Sequence, residues 1–288
     1  MKHYIRLARP AHWMKNVLVL LPLLCSGQFL DPEKLAHGLW GFLAFSLLAS
    51  AIYVLNDIRD REKDRKSTTK CRRPIAAGLI SVPHATVYCV ILVLLAAVLG
   101  YLAAGTKASA WALLLLYFAL NLGYSFGLKD VPLIDITILA LGFLLRMLYG
   151  GEVTDIAPSK WLCLTIIALS FYMGLGKRRG ELRSQKGDTR AVLKYYNQSF
   201  LDKNMYMCVA LAIVFYALWT VDEFTVLRVG SENLIWTVPL VILICLKYSL
   251  DVEGQSDGDP VEVLLHDKIL LLLLGILGLV MVLFLYIL

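Results

Sequence analysis

Asn56, Asp57, Asp60 and Asp64 recur at steps of one, three and four residues, so on a helix one amide and three carboxylates share a stripe. Like charges at that spacing repel each other, and a chain that keeps them there needs a cation between them. Clustered carboxylates are hard oxygen ligands suited to Mg²⁺, which fills the rest of its octahedron with phosphate oxygens and water. A phosphate or diphosphate is therefore the expected guest, and the eight Lys and Arg residues from Arg59 to Arg73 suit the same guest. The run NDIRDREKDRKSTTKCRRP also fits a solvated, charge-mixed loop between two membrane helices. Helical register directly after an apolar span favours the metal.

The elements that must position this stripe are membrane helices. Of the 288 residues, 59% are hydrophobic and only 17% charged, and the mean hydropathy is +0.69, a membrane composition. Crossing a core about 30 Å thick takes about 20 residues of helix. Apolar runs over residues 17–30, 36–55, 84–104, 108–126, 132–151, 160–176, 206–222, 234–250 and 269–288 predict nine spans. Twenty-three of the 28 Lys and Arg residues then fall on one side, placing the N-terminus and the charged loops in the cytoplasm and the C-terminus outside. No cleavable signal peptide is evident. The net charge of +6 suits anionic headgroups and phosphates; no nucleic-acid motif accompanies it. The six cysteines are scattered without metal-binding spacing, and they read as small apolar residues.

Further candidates sit where apolar spans meet charged loops. Lys15 and Asn16 precede the first span; they fit either interfacial anchoring or a phosphate contact. Lys70 and Arg73 follow the acids, and Tyr124, Lys129 and Asp135 stand in YSFGLKDVPLID before the fifth span. Asp135 lies inside an apolar stretch, so it should face protein or a water-filled cavity. Arg146, eleven residues on, either lines a cavity floor or snorkels outward. Residues 177–204 form a second large basic block with Lys177, Arg178, Glu181, Arg190 and a tyrosine pair. A transporter would also bury charges among helices, but at the midplane and in matched halves.

NDxxDxxxD at Asn56, Asp57, Asp60 and Asp64 resembles the signature of the UbiA superfamily of intramembrane prenyltransferases, in which it follows the second of nine helices. Further similar elements, found in the branch of that superfamily that moves phosphoribose, are RPxxWxKN (Arg9, Pro10, Trp13, Lys15, Asn16), KxxRP (Lys70, Arg73, Pro74), YSxxLK (Tyr124, Ser125, Lys129), GFxLR (Arg146), KRxxEL (Lys177, Arg178, Glu181) and RAVLKYY (Arg190, Tyr195). The chain departs from the superfamily at Ser67 and Thr68, where His-Pro is usual. It departs again at Leu139, where aromatic-acceptor members carry the second acid of another DxxxD.

The resemblance implies an all-α integral membrane protein, nine helices around a central cavity open to the cytoplasm, with loops 56–83 and 177–204 capping one polytopic domain of the cell membrane. It implies transfer of 5-phosphoribose from phosphoribosyl diphosphate to a polyprenyl phosphate for envelope glycan synthesis, with Mg²⁺ held by Asn56, Asp57, Asp60 and Asp64. Asp135 joins these acids as a catalytic candidate. Lys15, Asn16, Asn56, Lys70, Arg73, Tyr124, Lys129, Arg146, Lys177, Arg178, Glu181, Arg190 and Tyr195 are the implied substrate contacts. Membrane lipids are expected partners, nucleic acid is not, and homo-oligomers are compatible with the pattern. The alternative within the family is prenylation of an aromatic or other small acceptor.

Overall fold

An apolar helix that buries almost none of its surface within its own chain has lipid as its other partner, because lipid tails solvate leucine as well as a protein core does. Lys268–Tyr286 is such a helix, with Leu272 and Leu279 63% and 71% exposed. The computed structural model describes residues 2–68, 70–184, 191–254, 263 and 267–287, and every regular element among them is a helix. Seven are long and apolar enough to cross a membrane: Pro32–Arg59, Val82–Ala104, Ala108–Ser125, Ile134–Thr154, Gln198–Thr220, Asn233–Glu253 and Lys268–Tyr286.

Two of the nine expected spans are not among these seven. Residues 10–24 form a 3-10 stretch, Pro10–Leu20, and a single α turn, Leu21–Leu24. Pro10 and Pro22 each lack a backbone donor, and the segment's polar side chains are tied to a neighbouring helix, so it is no free-standing span. The other, residues 160–176, does lie in one continuous helix, Lys160–Ser184, 25 residues long, with Lys160 and Lys177 at the two ends of its apolar stretch.

The chain divides into two compact units. Residues 1–23, 31–128 and 145–156 form the first. Pro32–Arg59 begins at Asp31, whose carboxylate accepts from the N–H groups of Glu33 and Lys34 at 3.0 and 3.3 Å, and Pro32 supplies a preset first turn. Asp31→Ala should therefore cost about 1 kcal/mol, read as a lowered unfolding midpoint of the purified protein; an unchanged midpoint would show that the cap carries no stability. The helix packs through small residues. A side chain at Gly41 would come within 2.9 Å of Val153, and one at Gly150 would meet the carbonyl oxygen of Val19 at 1.8 Å. Phe45 fills the centre, its ring 4.4 Å from Tyr117 and 5.7 Å from Tyr149.

Residues 24–30, 129–144 and 157–288 form the second unit. Its core gathers Tyr172, Leu175, Val192, Tyr196, Leu201 and Val252. Gly174 lets Ile136 approach closely, since a Cβ there would be 2.9 Å from the isoleucine side chain. All six cysteines are free thiols.

Candidate active site

The first unit assembles the acid stripe at the end of Pro32–Arg59. The helix does not run straight through the motif: it ends at Asp60, and the short helix Arg61–Lys66 carries Asp64. Backbone bonds from Asp60 N–H to Asn56 and from Asp64 N–H to Asp60 keep helical spacing across the joint. Asp57 and Asp64 are consequently both buried, at 2% and 3% exposure.

Two buried carboxylates are costly unless paired. The Arg73 guanidinium lies between them, one nitrogen 3.1 Å from Asp57 and 2.8 Å from Asp64. Arg9 adds a second cation, 2.6 Å from the same Asp57 oxygen, while stacking its charge 5.0 Å over the Tyr53 ring. Burial pushes the Asp64 carboxyl above the ordinary range, and Arg73 pulls it back towards ionisation. Lys70 stands close enough to add to that pull.

Arg9 reaches Asp57 from a left-handed backbone, φ 53°, although it precedes a proline that disfavours compact conformations. Such an outlier persists only where its surroundings over-determine it, commonly at functional sites. The segment after it is stitched down. The Trp13 indole N–H donates to Ser50 at 3.0 Å, Ser50 donates to the Ala8 carbonyl at 2.7 Å, and Asn16 donates to Ser46 at 3.0 Å. Trp13 and Asn16 thus face protein, and Asn16, 1% exposed, also accepts from Arg146 at 2.7 Å. Arg146 neither snorkels nor lies open. It is buried, donates to the Tyr117 hydroxyl at 3.0 Å, and its charge sits 5.0 Å from the Phe45 ring. The Asn56 side-chain oxygen pairs with the Ser125 hydroxyl, so the motif's amide ties this helix to the end of Ala108–Ser125. Ser67, at one of the superfamily departures, accepts the Lys70 N–H at 3.2 Å and so shapes the turn that presents Lys70. Lys15 and Tyr124 are half-buried in the same unit.

Among the described residues no three His, Cys, Asp or Glu side chains form a metal-binding group. Even so, the donor chemistry fits Mg²⁺: Asp57 and Asp64 already direct hard carboxylate oxygens at one positive centre, the Arg73 nitrogen.

The second unit holds the other candidates. Asp135, in the first turn of Ile134–Thr154, is fully buried with both oxygens engaged. Arg178 donates to one at 2.5 Å and the Tyr196 hydroxyl to the other at 2.7 Å. Arg178 is itself fully buried and also holds Glu181 at 2.7 Å. Burial pushes the Tyr196 hydroxyl up to about 12, so it remains a donor at any physiological pH. Lys129 and Lys177 are half-buried, and Tyr195 is 61% exposed. Arg190 lies outside the described residues. Spacing missed Arg9 and Tyr196; Arg directly before Pro, and the second tyrosine of RAVLKYY, were the available signals.

Residues 17–264 match the model of the UbiA prenyltransferase family. Decaprenyl-phosphate phosphoribosyltransferase of Mycobacterium tuberculosis (strain ATCC 25618 / H37Rv) is 35% identical over 93% of this chain and 89% of its own length. The Corynebacterium glutamicum protein of the same name is 38% identical over 92% of this chain and 81% of its own. A UbiA homologue from Archaeoglobus fulgidus solved with GPP and Mg²⁺ superposes with a TM-score of 0.71 at 19% identity, covering 98% of both chains, a likeness of fold.

Proposed function

The chain belongs to the UbiA prenyltransferase family, and on that premise we propose that it transfers 5-phosphoribose from phosphoribosyl diphosphate to a polyprenyl phosphate, releasing diphosphate. One observation carries this reading above the others: two relatives named for that chemistry on a decaprenyl phosphate share 35–38% identity over more than nine-tenths of the chain. Those relatives are enzymes, which favours catalysis over transport.

Asp57 and Asp64, with Asn56 and Asp60 beside them, are the residues that would hold Mg²⁺. A bound Mg²⁺ supplies Lewis-acid neutralisation of the departing diphosphate. The chain's own cations share that task. Arg73 and Arg9 stand against Asp57, and Lys70 stands near Asp64, ready to meet phosphate oxygens. As the ribose C1–oxygen bond breaks, its electron pair leaves with diphosphate, and an oxygen of the lipid phosphate forms the new bond to C1. The attacking group is already an anion, so no side chain need remove a proton. Apolar helices hold the lipid tail, and the positive loops keep its phosphate at the cytoplasmic surface, with the N-terminus on that side.

Membranes containing the protein, given ribose-labelled phosphoribosyl diphosphate and a polyprenyl phosphate, should move label into lipid. Chelation with EDTA should reduce that product by about a hundredfold or more, and added Mg²⁺ should restore it. Label that never becomes lipid-borne would reject the function, and transfer indifferent to EDTA would reject the metal.

A further inference from the structure

Ser46, Ser50, Tyr53 and Asp57 follow one another at steps of four, three and four residues, so they share one face of Pro32–Arg59. The chain from Ala8 to Asn16 lies along that face in the opposite direction. Asn16 donates to Ser46 at 3.0 Å and the Trp13 indole N–H to Ser50 at 3.0 Å. His12 meets the Tyr53 ring edge-on at 5.3 Å, and Arg9 reaches Asp57 at 2.6 Å. Four residues of one segment thus meet four of the other, in order.

Length explains why this segment is not an α-helix. From Ser46 to Asp57 is eleven steps of α-helix, about 16 Å at 1.5 Å per residue. From Arg9 to Asn16 is seven steps, about 14 Å at the 3-10 rise of 2.0 Å but only about 10 Å as an α-helix. The 3-10 stretch Pro10–Leu20 therefore keeps pace with the helix beneath it, and the Arg9 side chain covers the remainder. An α-helix would fall about one turn short.

Both ends of the segment are held. Ser50 is fully buried; it accepts from Trp13 and donates to the Ala8 carbonyl at 2.7 Å, so it grips the chain on both sides of Arg9. At the other end Asn16 is 1% exposed, its NH₂ engaged by Ser46 and its oxygen by Arg146 at 2.7 Å. Gly150, one turn after Arg146, admits the Val19 backbone just beyond.

Resting on the proposed transfer, we infer that Trp13, Asn16, Ser46, Ser50 and Arg146 are positioning residues that set the Arg9 guanidinium at the acid stripe, and that they act on the reaction through Arg9 alone. The motif RPxxWxKN is then a docking strip whose working end is its first residue. Asn16 and Arg146 hold that strip and do not meet substrate.

Ser50→Ala removes both bonds at one small buried site and introduces no charge, so the fold should tolerate it. It should lower kcat/KM for phosphoribosyl diphosphate roughly tenfold, and Trp13→Phe, which keeps a ring but loses the indole N–H, roughly threefold. Arg9→Ala should lower it roughly a hundredfold. In the Arg9→Ala background Ser50→Ala should cost no more than about twofold further, because nothing is left to position. A full tenfold loss in that background would make Ser50 merely structural and overturn the inference, as would a Ser50→Ala enzyme equal to the unaltered chain. Amide hydrogen exchange of the full chain in nanodiscs reads the segment without turnover. Ser50→Ala should speed exchange over residues 9–16 roughly tenfold and leave Gln198–Thr220 unchanged. Unchanged exchange over residues 9–16 would overturn the inference whatever the activity. If the unaltered chain transfers no ribose, the proposed function fails, and exchange still decides whether Ser50 holds the segment.

Discussion

Asp57→Asn should lower ribose transfer by about three orders of magnitude, since a catalytic cation contributes several kcal/mol and each 1.36 kcal/mol is tenfold in rate. Asparagine keeps the shape and one oxygen but loses the charge that makes the oxygen a strong ligand for Mg²⁺. It also removes the anion shared by Arg9 and Arg73, both within 3.1 Å of the same Asp57 oxygen. The two guanidiniums then face each other without it, and the turn that brings Arg9 into place loses its reason to stay strained. Labelled-transfer rates on protein of verified fold check this. Activity within tenfold of the unaltered chain would remove Asp57 from the centre of the mechanism.

Gly150→Ala should be the most damaging small substitution, costing about 3 kcal/mol or more. Its new methyl would lie 1.8 Å from the Val19 carbonyl oxygen, with the Val19 carbonyl carbon and Cα at 2.6 and 2.9 Å. Those are backbone atoms, so no rotamer change relieves the clash; the two segments must part. Parting them disturbs the packing around Phe45 and Tyr149 and shifts Asn16, the acceptor for Arg146. Gly275→Ala is the control, because nothing lies within 4 Å of a side chain there. Thermal unfolding of the purified variants should separate them clearly, and equal midpoints would show that the close approach carries no energy.

The acid stripe is legible in the sequence because helical period is a local property, and Asn56 to Asp64 repeat it within nine residues. The cations that neutralise it are not: Arg9 and Arg73 lie 48 and 16 positions from Asp57, and no periodicity links them. Arg146 shows the same limit. Its register suggests a cavity or an interface, but the partners that decide the matter, Asn16 and Tyr117, come from two other segments. Adjacent tyrosines are harder still. Spacing cannot choose between Tyr195 and Tyr196: the 3-10 turn ends at Tyr195, and the contacts that select Tyr196, with Asp135 and with the Leu133 backbone, come from a distant segment. Hydropathy likewise marks residues 17–30 as a span, while the hydroxyls and amides that fasten the preceding turn are invisible to an average over apolar character.

The foursome of Asp57, Asp64, Arg9 and Arg73 balances two negative against two positive charges. A lone dication entering so neutral a nook gains little and must compete with a resident guanidinium; one escorted by its polyanion restores the balance. Thermodynamic linkage then makes each arrival help the other. On the proposed function, a divalent ion that arrives with the sugar donor is then favoured over one that arrives alone.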